Sequence, residues 1–487
     1  MKPSDSNSRV ESILEESAYR RGDRTAIIDT SGSYSYNEIL SASHDVTCFL
    51  HSQGILPGSV VAFSTDAARC FIPILFGILR ADCVALPIAP HLPSEEALSY
   101  ADTADVTATL RVSPDTSGAS SQLSLPGGAR AHLLRQSPTK PNSVRVRFPG
   151  AAIIRFSSGT TAAPKGVLLS HTGVLERAEI SERSLAIASD DRVLSTLSLS
   201  YHFIASAISF IRSGATILDG AGLSDEALVY FAQRHAPTMM YAAPSHYQNL
   251  CERAQPKVLA SLRRAISASA PLPRDIARLF ESRFHRRLTQ VYGIIEVGLP
   301  IWNDDLSSGP EELGKPKEPY ECQVVDEGGV PVAIGMCGEL AVRGPGLFSG
   351  YIFTSGKTTS HRPDHWFLTG DLVTLDARGL IHFQGRKGSA FSIGDNTIHP
   401  EQIEAILKQA PEIVEARVCA EDHPIFGRRL IAEIVPARHT STPEHSWYRL
   451  CEQELPEHLR PNEFRIVSAI PSTGSGKVLR HAHPHVS

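Results

Sequence analysis

A turn of small, hydroxylated residues follows the apolar run that ends at Phe156. The turn contains Ser157, Ser158, Gly159, Thr160 and Thr161 and closes on Pro164, Lys165 and Gly166. Hydroxyls, backbone N–H groups and one ammonium can converge on an anion in such a turn. The segment therefore predicts a phosphate-binding loop, and the alternative is an ordinary Ser/Thr/Gly surface loop.

A second lysine, Lys477, ends a Gly/Ser-rich stretch that begins after Pro471. Neither lysine belongs to a Walker A motif, because Gly166 follows Lys165 and Val478 follows Lys477 where that motif needs Ser or Thr. A lysine in such a place is usually solvated and inert. The alternative is that its ammonium takes part in catalysis.

Two carboxylates follow strand-like runs. Glu296 ends the segment that begins Gln290-Val291-Tyr292-Gly293, and Asp371 follows Thr369-Gly370. An aromatic residue, a glycine and a carboxylate at a strand end can stack a planar ring and hold a metal. An ionised carboxylate after a tight turn can accept from both hydroxyls of a ribose. Alone, a carboxylate at a strand end is more often a solvated surface acid.

In order and spacing, these segments resemble the motifs of the adenylate-forming superfamily. That superfamily includes acyl-CoA synthetases, nonribosomal-peptide adenylation domains and luciferases, and the resemblance runs from about Val10 to Arg480, closest to the acyl- and aryl-CoA ligases. It implies a two-step ligase. A carboxylate and ATP give an acyl-adenylate and pyrophosphate, and a thiol then captures the acyl group.

The resemblance also implies residue roles. Lys477 becomes the adenylation lysine, which stabilises the charge that gathers on the α-phosphate and whose loss typically costs about 10²–10³ in rate. Glu296 and Thr160 become ligands of Mg²⁺. The implied nucleotide-binding residues are Ser157, Ser158, Gly159, Thr160, Thr161, Lys165, Ser269, Ala270, Pro271, Gln290, Tyr292, Gly293, Asp371 and Arg386.

Four positions depart from the usual family residues: Ala162, Ile295, Gly388 and Asp395. Ile295 replaces a threonine hydroxyl expected near the nucleotide phosphate. A different class of function therefore stays open, namely a nucleotide-binding or regulatory protein that kept the fold and lost turnover. The retained Lys165, Glu296 and Lys477 argue against it.

The acyl pocket is predicted at Tyr201, His202, Phe203, Ala242 and Ala243. Adenylation domains for α-amino acids place an aspartate in the first of these segments, and no acidic residue occurs between Leu194 and Arg212. An unpaired substrate ammonium would be costly to bury. The sequence therefore predicts a fatty or aromatic acid without an α-amino group, although His202 is also compatible with a satisfied core histidine.

The identity of the acceptor thiol rests on Gly394 and Asp395, where the family usually has a Gly-Gly-like turn. A carboxylate would sit poorly beside the phosphates of coenzyme A. The alternative acceptor is the phosphopantetheine arm of an acyl carrier protein.

Composition excludes several functions. The chain has 487 residues, a net charge of −5, and eight cysteines without a CxxC pair. Neither nucleic-acid binding nor a disulfide framework is expected. No apolar run is long enough to span a membrane, and the polar start of the sequence contains no secretory signal. A cytoplasmic location is expected.

Alternating helical and extended segments predict an α/β protein. We expect a large N-terminal domain of layered α/β sheets over residues 1–384, with a small β-barrel-like or antiparallel section from Gly314 to Gly385. A hinge at 385–388 should lead to a small, mobile α+β domain at 389–487, which in the family rotates between the two steps. The Ser/Gly/Pro-rich stretch from Ser113 to Asn142 is expected to be an irregular connection.

Overall fold

The computed structural model describes residues 9–112, 122–136, 148–157, 165–304, 312–362, 364–393, 396–423, 427–437, 444–471 and 478. The first part contains α1 (Ser12–Arg21), β1 (Thr25–Ile28), β2 (Ser33–Ser35), α2 (Tyr36–Ser52), β3 (Val60–Ser64), α3 (Ala68–Arg80), β4 (Val84–Pro87), α4 (Ser94–Thr103), β5 (Val106–Val112), β6 (Gln122–Ser124) and β7 (Arg130–Arg135). The expectation of an irregular connection is thus wrong for 122–135. The chain pairs there because β7 lies antiparallel to β5, with Leu110 opposite Leu133.

The middle part continues the alternation. It contains β8 (Ala151–Ser157), β9 (Lys165–Ser170), α5 (His171–Leu185), β10 (Arg192–Ser195), α6 (Leu199–His202), α7 (Ser209–Ser213), β11 (Thr216–Asp219), α8 (Asp225–His235), β12 (Met239–Ala242), α9 (Pro244–Arg253), β13 (Arg264–Ser267), α10 (Arg274–Phe284), β14 (Leu288–Ile294) and β15 (Gly298–Asn303). A five-residue π-helical segment, Ile204–Ile208, joins the region of α6 to α7.

The remaining elements are mostly strands. They are β16 (Glu312–Pro316), β17 (Glu321–Val325), β18 (Cys337–Arg343), β19 (Gly350–Phe353), β20 (Thr358–Ser360), β21 (Phe367–Leu375), β22 (Ile381–Arg386), β23 (Phe391–Ile393), β24 (Asn396–Ile398), α11 (Pro400–Leu407), β25 (Ile413–His423), β26 (Gly427–Pro436), α12 (Glu444–Glu454) and β27 (Glu463–Ile466).

Two large sheets organise the chain. The first has thirteen strands in the order β17-β18-β21-β22-β16-β15-β14-β13-β12-β10-β11-β1-β2, and the second has nine in the order β20-β19-β9-β8-β4-β3-β5-β7-β6. From β14 to β1 the first sheet is parallel. The predicted antiparallel section runs on from it as an extension at the β14 edge. The α/β class with layered sheets is confirmed.

The largest core lies between the two sheets. It joins inward side chains of both sheets, such as Val193 and Ile153, with helices α1, α2, α3 and α5. Successive strand residues point to opposite faces, so Ile153 of β8 belongs to this core and Ile154 to the core on the outer face. By the same alternation the β8 side chain at 155 points inward, between the sheets.

The C-terminal part is a separate α+β unit, as predicted. Strands β25, β26 and β27 form a three-stranded sheet, and α11 and α12 pack on it around Trp447, which is 1% exposed. Glycine at 385 lets the two parts approach closely. Gly385 has φ +150°, and a Cβ placed on it would lie 3.1 Å from His399 Cβ.

None of the described helices has the length and apolar character that crossing a bilayer requires. All eight cysteines are free thiols.

Candidate active site

The candidate site lies at the carboxyl ends of the parallel strands β10, β12, β13 and β14. The chain leaves these strands through residues 196–198, 243, 268–273 and 295–297. Open α/β sheets bind ligands along this edge. Most of the sequence-predicted site residues that the structure describes lie on these segments or beside them.

Asp371 forms the centre of a buried cluster on the nucleotide side. It lies on β21 opposite Arg386 of β22, and it is 1% exposed. Its Oδ1 atom lies 2.8 Å from Arg386 Nε, and its Oδ2 atom accepts a hydrogen bond from the Tyr292 phenol. Three predicted nucleotide-binding residues from three strands are therefore brought together.

Asp371 changes the pKa of both of its partners. Burial and the Asp371 charge raise the pKa of the Tyr292 phenol well above its ordinary value, so the phenol stays a donor. Burial lowers the pKa of Arg386, but Asp371 together with Tyr292, Glu296 and Glu401 outweighs burial and leaves that pKa above its ordinary value. The carboxylate thus keeps a fixed direction and a charged partner.

A second cluster joins the predicted phosphate lysine to the predicted metal ligand. Lys165 Nζ lies 3.4 Å from Glu296 Oε1 and 4.2 Å from the centroid of the Tyr351 ring. Tyr351 donates its hydroxyl hydrogen to the same Glu296 oxygen, at 2.9 Å. Glu296 is 7% exposed, so the ammonium and the phenol together hold a nearly buried carboxylate.

Arg177, on α5, supports the segment that carries Glu296 from behind. Its Nη1 and Nη2 atoms donate to the backbone carbonyls of Ile295 and Glu296 at 2.7 and 2.6 Å, and Nε donates to the carbonyl of Gly346. The side chain is 3% exposed, and burial lowers its pKa to about 10. Arg177 therefore fixes the backbone from which Glu296 projects.

Gln290 connects the predicted nucleotide-binding loop at 269–271 to the sheet. Its Oε1 atom accepts from Leu272 N at 2.7 Å, and its Nε2 atom donates to the carbonyl of Glu312 at 3.1 Å. Ser269, Ala270 and Pro271 precede Leu272 and are exposed. The two hydrogen bonds of the Gln290 side chain therefore fix the end of this loop relative to strand β16.

Gly293 is required by a close backbone approach. A Cβ at this position would lie 2.1 Å from the carbonyl oxygen of Gly298. Only glycine lets β14 turn into β15 this tightly, and the turn directs Glu296 and Tyr292 to their partners.

On the acyl side, Tyr201 and His202 lie on α6 and are half-buried. The His202 ring lies 6.3 Å from the ring of Tyr241, which is 1% exposed. Phe203 is fully buried and packs against Phe71 of α3 at 5.3 Å between ring centroids. Aromatic side chains therefore dominate this side, as the sequence suggested.

Ala242 and Ala243 diverge in position. Ala242 is fully buried in the core on the outer face of the first sheet, whereas Ala243 packs against the core between the sheets. Of these two predicted pocket residues, Ala243 is the one on the same face as Tyr241.

The carboxylate of Asp66 binds the residues that lead into the predicted acyl-pocket segment at 201–203. Asp66 Oδ1 accepts from Ser198 Oγ at 2.9 Å and from the hydroxyl and amide of Ser200 at 2.8 and 3.2 Å. The segment from Leu194 to Arg212 contains no acidic residue, and Asp66 precedes it by more than a hundred residues. The sequence therefore did not reveal this contact. Its bound oxygen fixes the start of α6.

Several predicted residues lie outside the described part of the chain: Ser158, Gly159, Thr160, Thr161, Gly394, Asp395 and Lys477. Of Ser157 only the backbone is described, as the end of β8. The departures at Ala162 and Asp395 also lie there, and the roles of all these residues stay predictions.

Comparison with known proteins decides the family. Residues 14–352 match the model of the AMP-binding enzymes, and residues 402–477 match the model of the C-terminal domain of the same enzymes. The chain belongs to the AMP-binding enzymes. Its predicted class, an ATP-dependent, adenylate-forming acid–thiol ligase, is thereby confirmed.

Relatives of this AMP-binding enzyme include CoA ligases for different acids. It is 29% identical over 335 residues to a sulfoacetate–CoA ligase of Cupriavidus necator, covering 68% of this chain and 66% of that ligase. It is 25% identical to a 3-hydroxybenzoate/4-hydroxybenzoate–CoA ligase of Thauera aromatica, covering 98% and 96%. The anthranilate–CoA ligase AuaEII, solved with anthranoyl-AMP, has the same fold, with a TM-score of 0.81 and 21% identity over 97% of this chain and 96% of that one.

The residues present fit a magnesium ion bound together with ATP. Mg²⁺ in such enzymes takes one or two carboxylates plus substrate phosphates. Glu296 supplies a carboxylate whose Oε2 atom has no hydrogen-bond partner among the described residues. The described residues contain no group of three or more His, Cys, Asp or Glu that could hold a metal by themselves.

Sequence reasoning missed four residues of this AMP-binding enzyme: Asp66, Arg155, Arg177 and Tyr351. Each acts through a partner more than forty residues away, so spacing along the chain does not reveal it. One signal was available for Arg155, because it is a cation inside the apolar run Ile153-Ile154-Arg155-Phe156.

Proposed function

We propose that this enzyme activates a fatty or aromatic carboxylic acid without an α-amino group, with Mg²⁺ as the metal, and transfers the acyl group to coenzyme A. The observation that carries this proposal is the pairing of two buried carboxylates with cations, Asp371 with Arg386 and Glu296 with Lys165. Such an arrangement suits a nucleotide, since a ribose and a triphosphate need opposite charges at separate points.

The residues divide the work on ATP. Asp371 is placed to accept from the ribose hydroxyls, while Tyr292 and the 269–271 loop border the base. Lys165 neutralises phosphate charge, and Glu296 with Thr160 would hold Mg²⁺, which supplies charge stabilisation at the phosphates when bound. Lys477 acts on the α-phosphate as the carboxylate attacks.

The acyl side supports an acid without an α-ammonium group. Tyr201 and Tyr241 are phenols whose pKa burial raises, to about 12 for Tyr201 and further for Tyr241, so both are neutral near pH 7. Asp66 is engaged with Ser198 and Ser200. The hydroxybenzoate and anthranilate specificities of the relatives support an aromatic acid.

The C-terminal domain is proposed to rotate about residues 385–388 between the two steps. Residues 1–384 would form the adenylation core and 389–487 the moving part. The acceptor side would include Gly394 and Asp395, and a carrier-protein phosphopantetheine arm is the runner-up acceptor. We place the enzyme in the cytoplasm, which a tagged copy would test.

The first experiment is ATP–pyrophosphate exchange with fatty, benzoic, cinnamic and amino acids. We expect exchange with one class of acid that lacks an α-amino group, and loss of about 10²–10³ in rate for Lys477→Ala. Lys408→Ala is the matched control, since Lys408 is exposed on the same domain. Thioester formation is then compared with CoA and with a phosphopantetheinylated carrier protein.

Two results would contradict the proposal. Exchange driven by α-amino acids would overturn the predicted acid class. ATP binding without exchange for any acid would favour a regulatory protein that lost turnover, the reading that Ile295 keeps open.

A further inference from the structure

Arg155 lies at the base of the acyl side and is not explained by the functions above. It is the third-last residue of β8 and is 8% exposed. Its Nη2 atom donates to the backbone carbonyl of Tyr201 at 2.5 Å. The centre of its guanidinium lies 5.7 Å from the centroid of the Phe203 ring. A cation thus reaches from the second sheet to the acyl segment on α6.

Arg155 and Arg177 are both less than a tenth exposed, but they differ in the number of hydrogen-bond acceptors around the guanidinium. Arg177 has an acceptor for each of its three nitrogens, whereas Arg155 has one acceptor among the described residues. No described carboxylate lies within ion-pair distance of Arg155. A guanidinium has five N–H donors, so Arg155 keeps donors to spare in a place where an unpaired charge is costly.

Arg155 is buried but not completely enclosed, since it keeps 8% of its surface exposed. The Nε and Nη1 atoms of Arg155 are not among the fully enclosed side-chain atoms that lack a partner. Arg155 is also close to both phenols of the acyl side. Burial raises the pKa of Tyr201 and Tyr241, and the positive charge of Arg155 opposes that rise in each. The guanidinium therefore acts on both phenols, while its direct contacts are the carbonyl of Tyr201 and the ring of Phe203.

We propose that Arg155 binds an anionic group of the acid substrate other than the reacting carboxylate, so that the enzyme selects acids with a second carboxylate or a sulfonate. This inference rests on the proposed function and narrows its substrate class to fatty or aromatic acids with a second charge. The planar guanidinium can hold two oxygens of either anion at once. The bound anion would supply the counter-charge that the described protein does not.

The test compares acids that differ only in the second anionic group: butyrate with succinate, hexanoate with adipate, and benzoate with isophthalate and 3-sulfobenzoate. Wild-type exchange should favour the doubly anionic member of at least one pair by about 10²-fold in kcat/KM. Arg155→Met should remove that preference and leave the singly anionic partner within about threefold, because an uncharged tail does not use the guanidinium. Arg155→Lys should restore part of the preference.

Arg234→Met is the matched control, since Arg234 is exposed on α8, and it should leave every ratio unchanged. Wild-type preference for the singly anionic member of every pair overturns the inference without any variant. An equal loss on all acids in Arg155→Met also overturns it, because Arg155 would then serve the reacting carboxylate or the fold. Absence of exchange with every acid would instead refute the proposed function, so the two failures are distinguishable.

Discussion

On the nucleotide side of the cleft, Asp371 meets a guanidinium and a phenol, whereas on the acyl side Arg155 meets a single carbonyl. Both residues are less than a tenth exposed. Buried charges are tolerated when they are paired and costly when they are not. The buried charge of Asp371 is therefore paired within the protein before ATP binds. The buried charge of Arg155 is left for an anionic group of the substrate to pair with.

This difference matches what each ligand demands. ATP is the same molecule in every turnover, so the residues proposed to contact it, such as Arg386 and Lys165, can be fixed in advance by their carboxylate partners. The acid distinguishes one ligase from another, and an incompletely paired group discriminates between acids more strongly than an apolar wall does.

The largest expected effect is from Asp371→Asn, which breaks the nucleotide side. The variant leaves Arg386 without its carboxylate and removes the proposed ribose acceptor. Losing one partner of a buried ion pair typically costs about 3–5 kcal/mol, so kcat/KM for ATP should fall by about 10²–10³-fold. Pyrophosphate exchange at varied ATP measures it. Asp364→Asn, at an exposed carboxylate nearby, is the control, and an equal loss in both would refute the argument.

Arg177→Met should have the next largest effect. It removes three hydrogen bonds to backbone carbonyls behind Glu296, and bonds to charged groups are worth about 1.5–3 kcal/mol each. We expect a lower melting temperature and a fall of about 10–10²-fold in kcat. Arg183→Gln, exposed on the same helix, should change neither quantity. Full activity in Arg177→Met would mean that the segment carrying Glu296 needs no support.

Tyr351→Phe sharpens the comparison by removing one hydroxyl and keeping the ring against Lys165. Glu296 loses a donor worth about 0.5–1.5 kcal/mol, so the Mg²⁺ concentration for half-maximal exchange should change by about 3–10-fold. Tyr351→Leu also removes the contact with Lys165 and should raise KM for ATP as well. Tyr230→Phe, at a tyrosine that is 65% exposed, is the control. An unchanged Mg²⁺ dependence would show that the Tyr351 hydroxyl does not influence metal binding.

The smallest effect concerns Asp219, behind the acyl side. Burial raises the pKa of its carboxyl to about 6, against two backbone N–H donors that lower it. The folded state therefore holds this proton more tightly than the unfolded state, so the stability it contributes is present at low pH and is lost as the pH rises through 6. Asp219→Asn cannot titrate.

Thermal unfolding from about pH 5 to 7.5 checks this sign. The melting temperature of Asp219→Asn relative to wild type should rise across that range by about 1–3 °C. A difference that stays constant with pH would show that Asp219 does not titrate in this range, which would contradict the raised pKa of its carboxyl.

The sequence predicted the site where chemistry and local structure coincide. Glu296 follows β14 and the tight turn at Gly293. Asp371 lies inside β21, directly after Gly370, so both positions could be read along the chain. The strand that ends at Ser157 was equally legible, because it begins with the apolar run that ends at Phe156.

The rest depends on contacts that sequence order hides. Asp66 reaches Ser198, and Tyr351 reaches Glu296, only because two sheets are brought together by a shared core. The strands at 122–135 were missed for a related reason. The surrounding stretch from Ser113 to Asn142 is rich in Ser, Gly and Pro, which is typical of loops. The two strands form because β5 offers an edge for β7, and β7 offers one for β6.

Gly385 determines how closely strand β22 can approach His399. A Cβ at 385 would lie 3.1 Å from the Cβ atom of His399, so one added methyl group would make His399 move by a few tenths of an ångström. The closeness of β22 to the segment before α11 is therefore set by a missing side-chain atom at position 385.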